Sequence, residues 1–412
     1  MRLQTTSAVG QRLPGPLHAT CAYLDYNATT PIFPEVAAAM EPFLWEHFGN
    51  ASSTHVFARP CRDALALARG RVASLVHARD AAEVFFSSCG TECDHWAIAS
   101  AVGASQAALP HVIASCIEHP AVLAYLHAQA ARGVLCYSLV PVQADGTVLA
   151  SAVVEAVTPD TCLVTLMHSN NEIGALQPVA EVASLLRSSA PRVLLHTDAA
   201  QSCGKVRVDV QALGVDYATV VGHKLGAPKG VAALYVRAGA PLGRMLHGGG
   251  QEGGYRAGTE NVLHIVALGA ACSLAEAEAD ALHAHMTRLR DTLQTRLVSL
   301  LGGEDGADVR VHGPSEPHRR LPNTLSIGLR GVCAAKLLHA LRDQVAASAG
   351  AACHSESAQA TVSAVLKAMG VAMEYAVGTL RLSVGRHTTE EEVERAVEAI
   401  VREAARQRAA GE

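Results

Sequence analysis

Val193-Leu-Leu-His-Thr-Asp198-Ala-Ala-Gln201 and Ala218-Thr-Val-Val-Gly222-His-Lys224 are the stretches on which the fold turns. Each begins as a short apolar run, the pattern of a strand buried on both faces of a parallel sheet. Each then changes at its carboxyl end into polar residues able to do chemistry. In open α/β sheets, ligands bind beyond the carboxyl ends of the strands. The same kind of run recurs at 84–87, 111–115, 133–141, 162–167 and 231–236, making seven strand candidates. Amphipathic stretches at 59–76, 91–101, 121–132 and 179–189 lie between them. This alternation predicts an α/β layer structure around a mostly parallel seven-stranded sheet.

Beyond Gly248-Gly-Gly250 the pattern changes. One long helical stretch is expected over 262–301, then a polar linker through Pro322. Strand 324–329, helix 332–342, helix 360–369, strand 380–384 and helix 390–406 follow as a smaller α+β unit. The expected organisation is a tail over 1–20, a large domain over 21–275 and a small domain over 276–412.

Composition narrows the function. The 412 residues are 50% hydrophobic and 17% charged, with a net charge of −5, so no basic footprint for nucleic acid is present. No apolar stretch has the length of a membrane span; the longest, near 262–274, carries His264. Most of the 11 cysteines sit in apolar runs, as free thiols do in a reducing compartment, and the 20 histidines form no ligand cluster, so no metal is expected. The first twenty residues hold Arg2, Arg12 and no acid, as mitochondrial presequences do, but Pro14 and Pro16 interrupt any amphipathic stripe. A frayed tail and a cytoplasmic location are expected, with mitochondrial import the alternative.

An acid and a lysine delivered from neighbouring strand ends are what pyridoxal phosphate needs. The carboxylate of Asp198 keeps a pyridine nitrogen protonated, and Lys224 holds the aldehyde as a Schiff base. Either residue alone also reads as a helix cap or a solvated surface charge. Ser87-Ser-Cys-Gly90-Thr91-Glu92 offers helix N-terminal amides and a hydroxyl to an oxyanion, or an ordinary N-cap. His119, in Glu118-His119-Pro120, can stack on a flat ring or cap the next helix. His223 can donate to a phosphate, and Asn171 and Gln201 can bond a pyridine hydroxyl, though each also suits a turn.

Cys353 sits in Ala347-Ser-Ala-Gly-Ala-Ala-Cys353-His354-Ser-Glu-Ser, a small and polar setting that reads as an exposed loop with a reactive thiol. Arg381, flanked by apolar residues on a late strand, must find an anion. That anion is either an amino-acid carboxylate or a neighbouring Asp or Glu.

Together these motifs, with Tyr23-Leu-Asp-Tyr-Asn-Ala-Thr-Thr-Pro31 and Arg256-Ala-Gly-Thr-Glu-Asn261, resemble the class V (fold type I) pyridoxal-phosphate enzymes. The resemblance lies in the branch of cysteine desulfurases and selenocysteine lyases and runs from Tyr23 to about Thr389. It implies that Lys224 carries the cofactor, Asp198 pairs with its ring nitrogen and His119 stacks on the ring. Gln201 and Asn171 would face its hydroxyl, while Gly90, Thr91 and His223 would hold the phosphate. Thr259 would reach that phosphate from the second subunit of a homodimer. Arg381 would bind the substrate carboxylate and Cys353 would be the catalytic cysteine. Asn171 would also lie against the substrate.

Within the branch, three features are more similar to selenocysteine lyases: His354-Ser355 after the cysteine, Val221 before Gly-His-Lys, and the matches at Asp25–Thr30 and Arg381–Arg386. The implied reaction converts L-selenocysteine to L-alanine with release of reduced selenium. The alternative is a desulfurase that passes persulfide sulfur to an acceptor protein. Cys93-Asp-His95, Leu225-Gly-Ala-Pro228 and Ala257 depart from the usual pattern beside the cofactor contacts.

Overall fold

A computed structural model of the chain describes residues 9–11, 20–303, 306–353 and 360–411, with side chains outside 351–361. The expected tail lies mostly outside these residues. Strand β1 (Ala22–Tyr23) comes first; β2 (Val84–Ser87), β3 (His111–Ser115), β4 (Cys136–Val140), β5 (Thr161–Thr165), β6 (Leu194–Asp198), β7 (Tyr217–Val221) and β8 (Ala232–Val236) follow. The last seven form one sheet in the order β2-β8-β7-β6-β5-β3-β4. Pairing is parallel from β7 to β4, while β8 runs antiparallel to both β7 and β2.

The apolar runs form strands because both faces of the sheet are covered. Along β3, Val112 and Ala114 enter one core while Ile113 enters the other, and Leu163 and Val164 divide in the same way on β5. Successive residues of a strand point to opposite faces, so a doubly covered strand has no polar alternation to show. One face is packed by α1 (Ala58–Leu75) and the other by α2 (Gly90–Ala104), whose Trp96 and Ile98 are fully buried. Helix α3 (Pro120–Ala131) adds Val122 and Leu126 to the second core. The edge strand β4 is the exception: only its last residue is buried.

The single helix expected over 262–301 is two: α4 (Val262–Ala277) and α5 (Ala279–Leu301), bent by 78°. The elbow is Glu278, whose carboxylate takes two bonds of 2.7 Å from Arg386. The apolar repeat does not stop at the elbow, so the break leaves no periodic mark. Helix α4 belongs to the sheet core, whereas α5 turns Leu282, Met286, Leu289, Leu293 and Leu297 into a separate core. That stripe recurs every three or four residues, and each fully buried side chain stabilises by about 2 kcal/mol. No single helix among the described residues is long and apolar enough to cross a membrane.

The separate core lies on an antiparallel sheet built from β9 (Val309–His312), β10 (Thr324–Leu329), the short strand β12 (Ser348–Ala349), which follows β11 (Val345–Ala346), and β15 (Thr379–Ser383). Its order is β12, β15, β10, β9. The last helix, α6 (Glu390–Ala410), is started by a capping box between Thr389 and Glu392 and closes over this sheet. Residues 22–24, counted with the large domain in the sequence, pack here: β1 pairs with β11, and Ala22 and Leu24 are buried in this separate core. The helix expected over 360–369 is also different. Strand β14 (Ala360–Val362) pairs with β13 (Ala351–Cys353), and Ser363 caps only a short helix over Ala364–Ala368.

Candidate active site

Strands β6 and β7 are parallel neighbours in register, Asp198 opposite Thr219. Beyond β6 the chain turns sharply, and Ala200 N–H donates to Asp198 Oδ1 at 2.9 Å. Beyond β7 it makes one 3-10 turn, Gly222–Lys224. Gly222 is needed there, because a Cβ would come within 2.8 Å of Val231 Cγ1 and 3.0 Å of its carbonyl. Asp198 and Lys224 therefore open into the same cavity of about 420 Å³, with Gly90, Thr91, His119, Asn171, Gln201, His223 and Arg381 in its wall.

The amino end of α2 forms one side. Its N-cap, Cys89, supplies no side-chain bond to the first-turn amides, which are left for an anion. A Cβ on Gly90 would lie 2.8 Å from Val221 Cγ2, so this helix end is pressed against the end of β7. Glu92 ties the turn down: Arg256 Nε donates to it at 2.8 Å, and so does Ser88 N–H. Arg256 thus earns its place in the Arg256–Asn261 motif through the helix, at one remove from the cavity.

His119 is the N-cap of α3, with Nδ1 accepting from Ala121 N–H at 3.1 Å, and the residue lines the cavity. Burial lowers its pKa, so the ring stays neutral near pH 7. His223 is pushed down to about 4 by burial and by the charges of Lys224, Lys229 and Lys205, while Nδ1 sits 3.2 Å from Thr29 Oγ1. Asn171 presents its side to the cavity, and its carbonyl accepts from Arg381 at 3.1 Å.

Arg381 has the ion pair weighed in the sequence: it donates to Asp25 Oδ1 and to Ser348 Oγ, both at 2.8 Å. Its Nε is buried without a partner, and the side chain still borders the cavity. Of the two remaining expected residues, Thr259 is assigned to the cofactor of the other subunit and Cys353 has no described side chain. Thr259 is exposed and outside the cavity wall. Cys353 ends β13 opposite Ala360, and its side chain lies outside the described residues, as does His354.

Burial dominates the electrostatics. It raises the Asp198 carboxyl against the pull of Ala200 N–H, His119 and Lys224. It lowers the Lys224 amine to about 8, with Arg381 adding to the effect and Asp198 and Asp25 opposing it. Lys224 Nζ donates to the carbonyls of Asn27 at 2.5 Å and Ala28 at 2.8 Å. Asp94, in the same wall, is raised well above its usual range and accepts from Thr219 Oγ1 at 2.8 Å. Glu118 is buried and raised to about 8. It accepts from Ser115 Oγ and from Met167 N–H, and so anchors the strand end beside His119.

The motif reading missed Asn27, Asp94, Lys205 and the pairing role of Asp25. Asp94 is within reach of a helical count, three residues past Thr91. Asn27 and Asp25 sat inside a quoted motif without a role, because their partners are remote in sequence.

These groups fit pyridoxal phosphate. Uncapped helix amides beside Thr91 and His223 suit a phosphate, a buried carboxylate suits a protonated ring nitrogen, and a lysine with a lowered pKa suits an aldehyde.

Comparison with known proteins agrees. Residues 22–396 match the aminotransferase class-V family model. The chain is 38% identical to a cysteine desulfurase IscS of Methanosarcina thermophila, over 92% of this chain and 90% of that relative. It is also 38% identical to the selenocysteine lyase of Bos taurus, over 93% of each. Among solved structures, a NifS-like protein superposes with a TM-score of 0.83 at 33% identity, covering 93% of this chain and 98% of that one. SspA in complex with cysteine gives 0.75 at 29% identity, covering 89% and 100%.

Proposed function

This chain belongs to the aminotransferase class-V family and is a pyridoxal-phosphate-dependent carbon–sulfur or carbon–selenium lyase; from that premise we propose that its substrate is L-selenocysteine, converted to L-alanine with release of reduced selenium. The observation that carries the reading is the delivery of Asp198 and Lys224 by adjacent strand ends into one cavity. The selenium preference is supported by Val221, an apolar side chain in the cavity wall where the desulfurases usually place a serine, and by His354-Ser355 after the cysteine.

When bound, pyridoxal phosphate supplies an aldehyde for an amine and a ring that draws electrons from the substrate Cα. Gly90 and Thr91 at the start of α2, with His223, would hold its phosphate. His119 would lie against the ring, and Asp198 would keep the proton on the ring nitrogen. Arg381 would fix the substrate carboxylate: it borders the cavity with its Nε unpartnered, although the pair with Asp25 already takes up part of its charge. A Lys224 amine with a pKa of about 8 is half deprotonated at pH 8, so a free base is available near neutral pH, as removal of the Cα proton requires. Cys353 would serve as proton donor or as transient selenium acceptor: its thiolate would take selenium at the Se(0) level as the Se–Cβ bond breaks and Cβ is protonated to give alanine, and a thiol reductant would supply the two electrons that release it reduced to an acceptor protein.

The equal identity to a cysteine desulfurase keeps that activity as the second reading. Alanine formation from L-selenocysteine and L-cysteine at matched concentration separates them. A large preference for selenocysteine is expected, with Cys353→Ala affecting the two substrates unequally. Comparable rates with a persulfide on Cys353 would assign the chain to the desulfurases.

A homodimer is part of the same proposal. Trp45 is 77% exposed and Phe48 72%, beside Val56 and Phe57, an apolar patch that suits a second copy of the chain.

A further inference from the structure

Lys205 has no place in the account above. It lies four residues beyond Gln201, is only 8% exposed, and sits between the active-site cavity and a second cavity of about 270 Å³. Its Nζ donates to Gln201 Oε1 at 2.9 Å and to Asn27 Oδ1 at 3.3 Å. Among the described residues both partners are neutral amide oxygens. A buried amine without a carboxylate is costly to keep charged, and burial together with Lys224 and Arg381 drives its pKa well below the usual value. A neutral amine still has two N–H groups, one for each oxygen.

The network around it is directional. Asn27 Nδ2 donates to the Asn171 carbonyl at 3.2 Å and to Thr324 Oγ1 at 2.8 Å, so Oδ1 must face Lys205. Gln201 Nε2 donates to the Asn27 carbonyl at 2.9 Å, which turns Oε1 to Lys205. A carboxamide nitrogen has two protons, and Gln201 uses one on Asn27. The other remains for the cavity that Gln201 lines. With Lys205 removed, Oε1 is left buried without a donor, and the amide is held at one end only.

We propose that Lys205 is a positioning residue for the cofactor: by holding Gln201 Oε1 it keeps Nε2 presented to the ring oxygen of pyridoxal phosphate. The inference rests on the reading of Gln201 as the contact to that oxygen.

The test is binding to apoenzyme, followed by quenching of intrinsic fluorescence. Pyridoxal phosphate is compared with its 3-deoxy analogue, which lacks the ring hydroxyl. One well-placed hydrogen bond should give the parent protein a preference of roughly five- to tenfold for pyridoxal phosphate. Lys205→Met should remove that preference, weakening pyridoxal phosphate by this factor and leaving the analogue within about twofold. Lys205→Arg, which keeps donors toward both oxygens, should retain it. A Lys205→Met protein that keeps the preference, or that loses affinity equally for both ligands, overturns the proposal. Should Lys205→Met fail to fold, a folded Lys205→Arg without preference overturns it and one with preference supports it. A parent protein that shows no preference would instead sink the assignment of Gln201, which separates the two failures.

Discussion

At the scale of single residues, Lys224 is where chemistry and stability conflict. Its amine is held at about 8, below the usual lysine value of 10.5, chiefly because it is buried. Between those two values the unfolded chain binds more protons than the folded one, so stability of the apoenzyme rises with pH across that window. Below pH 8 the penalty is present in full. Lys224→Met removes the titration, so its stability advantage over the parent apoenzyme should be largest below pH 8 and shrink as pH approaches 10.5. Urea midpoints measured across that range check this, and a gap independent of pH would refute it. The same substitution should abolish turnover, by a factor of about 10³ or more, as loss of a covalent lysine does. Lys224 and Asp198 were legible because each ends its own apolar run. Asp25 and Lys205 were not. Arg381, which Asp25 neutralises, lies 356 residues away in the chain, and nothing local marks either residue as more than a surface charge.

Elements repeat this contrast. All seven strands of the large sheet were readable; in the inner strands, burial on both faces leaves a run of apolar residues with no competing helical period. The elbow between α4 and α5 was not, because both helices carry an apolar stripe that continues through Glu278. What bends them is a tertiary ion pair. Arg386 is 1% exposed and bonds Glu278 and Glu35, whose side chains are 6% and 22% exposed. Breaking a buried pair strands the remaining charge, at a cost of roughly 3 kcal/mol or more. Glu278→Ala should therefore lower the unfolding free energy from urea titration by up to that order, Glu35 still holding Arg386, while Glu35→Ala, at the wetter end, should cost less. Equal losses for the two variants would mean that burial of the carboxylate is not what makes the elbow costly to break. Where the helix expected over 360–369 became a strand and a short helix, Ser363 is the cause. Its hydroxyl accepts from Val365 and Leu366 N–H and starts a helix there, leaving 360–362 free to pair.

For the whole molecule, the site is assembled from the large sheet and from the separate core behind the antiparallel sheet. Asn27 follows β1 and bonds Asn171, Gln201 and Lys224 on one side, and Thr324, Asn323 and Ser383 on the other. Relative motion of the two halves would therefore be felt at Lys224 directly. What one chain leaves open is an apolar surface rather than a polar one. Phe48 and Phe57 stack with centroids 5.7 Å apart, and Trp45, Leu44 and Val56 stand out beside them. Aromatic residues concentrated in an exposed patch mark an interface centre, where charge is excluded. Adding two charges there leaves the buried cores untouched, so the fold should persist while association fails. Trp45→Glu combined with Phe48→Glu should shift the protein from dimer to monomer in sedimentation velocity, with the far-UV circular dichroism of the parent. If Thr259 reaches the phosphate of the other copy, the monomer should also bind pyridoxal phosphate more weakly, and Thr259→Ala should lower that affinity only in the dimer. A double variant that still sediments as a dimer at micromolar concentration would move the interface elsewhere on the surface. An effect of Thr259→Ala that persists in the monomer would place that hydroxyl on its own cofactor.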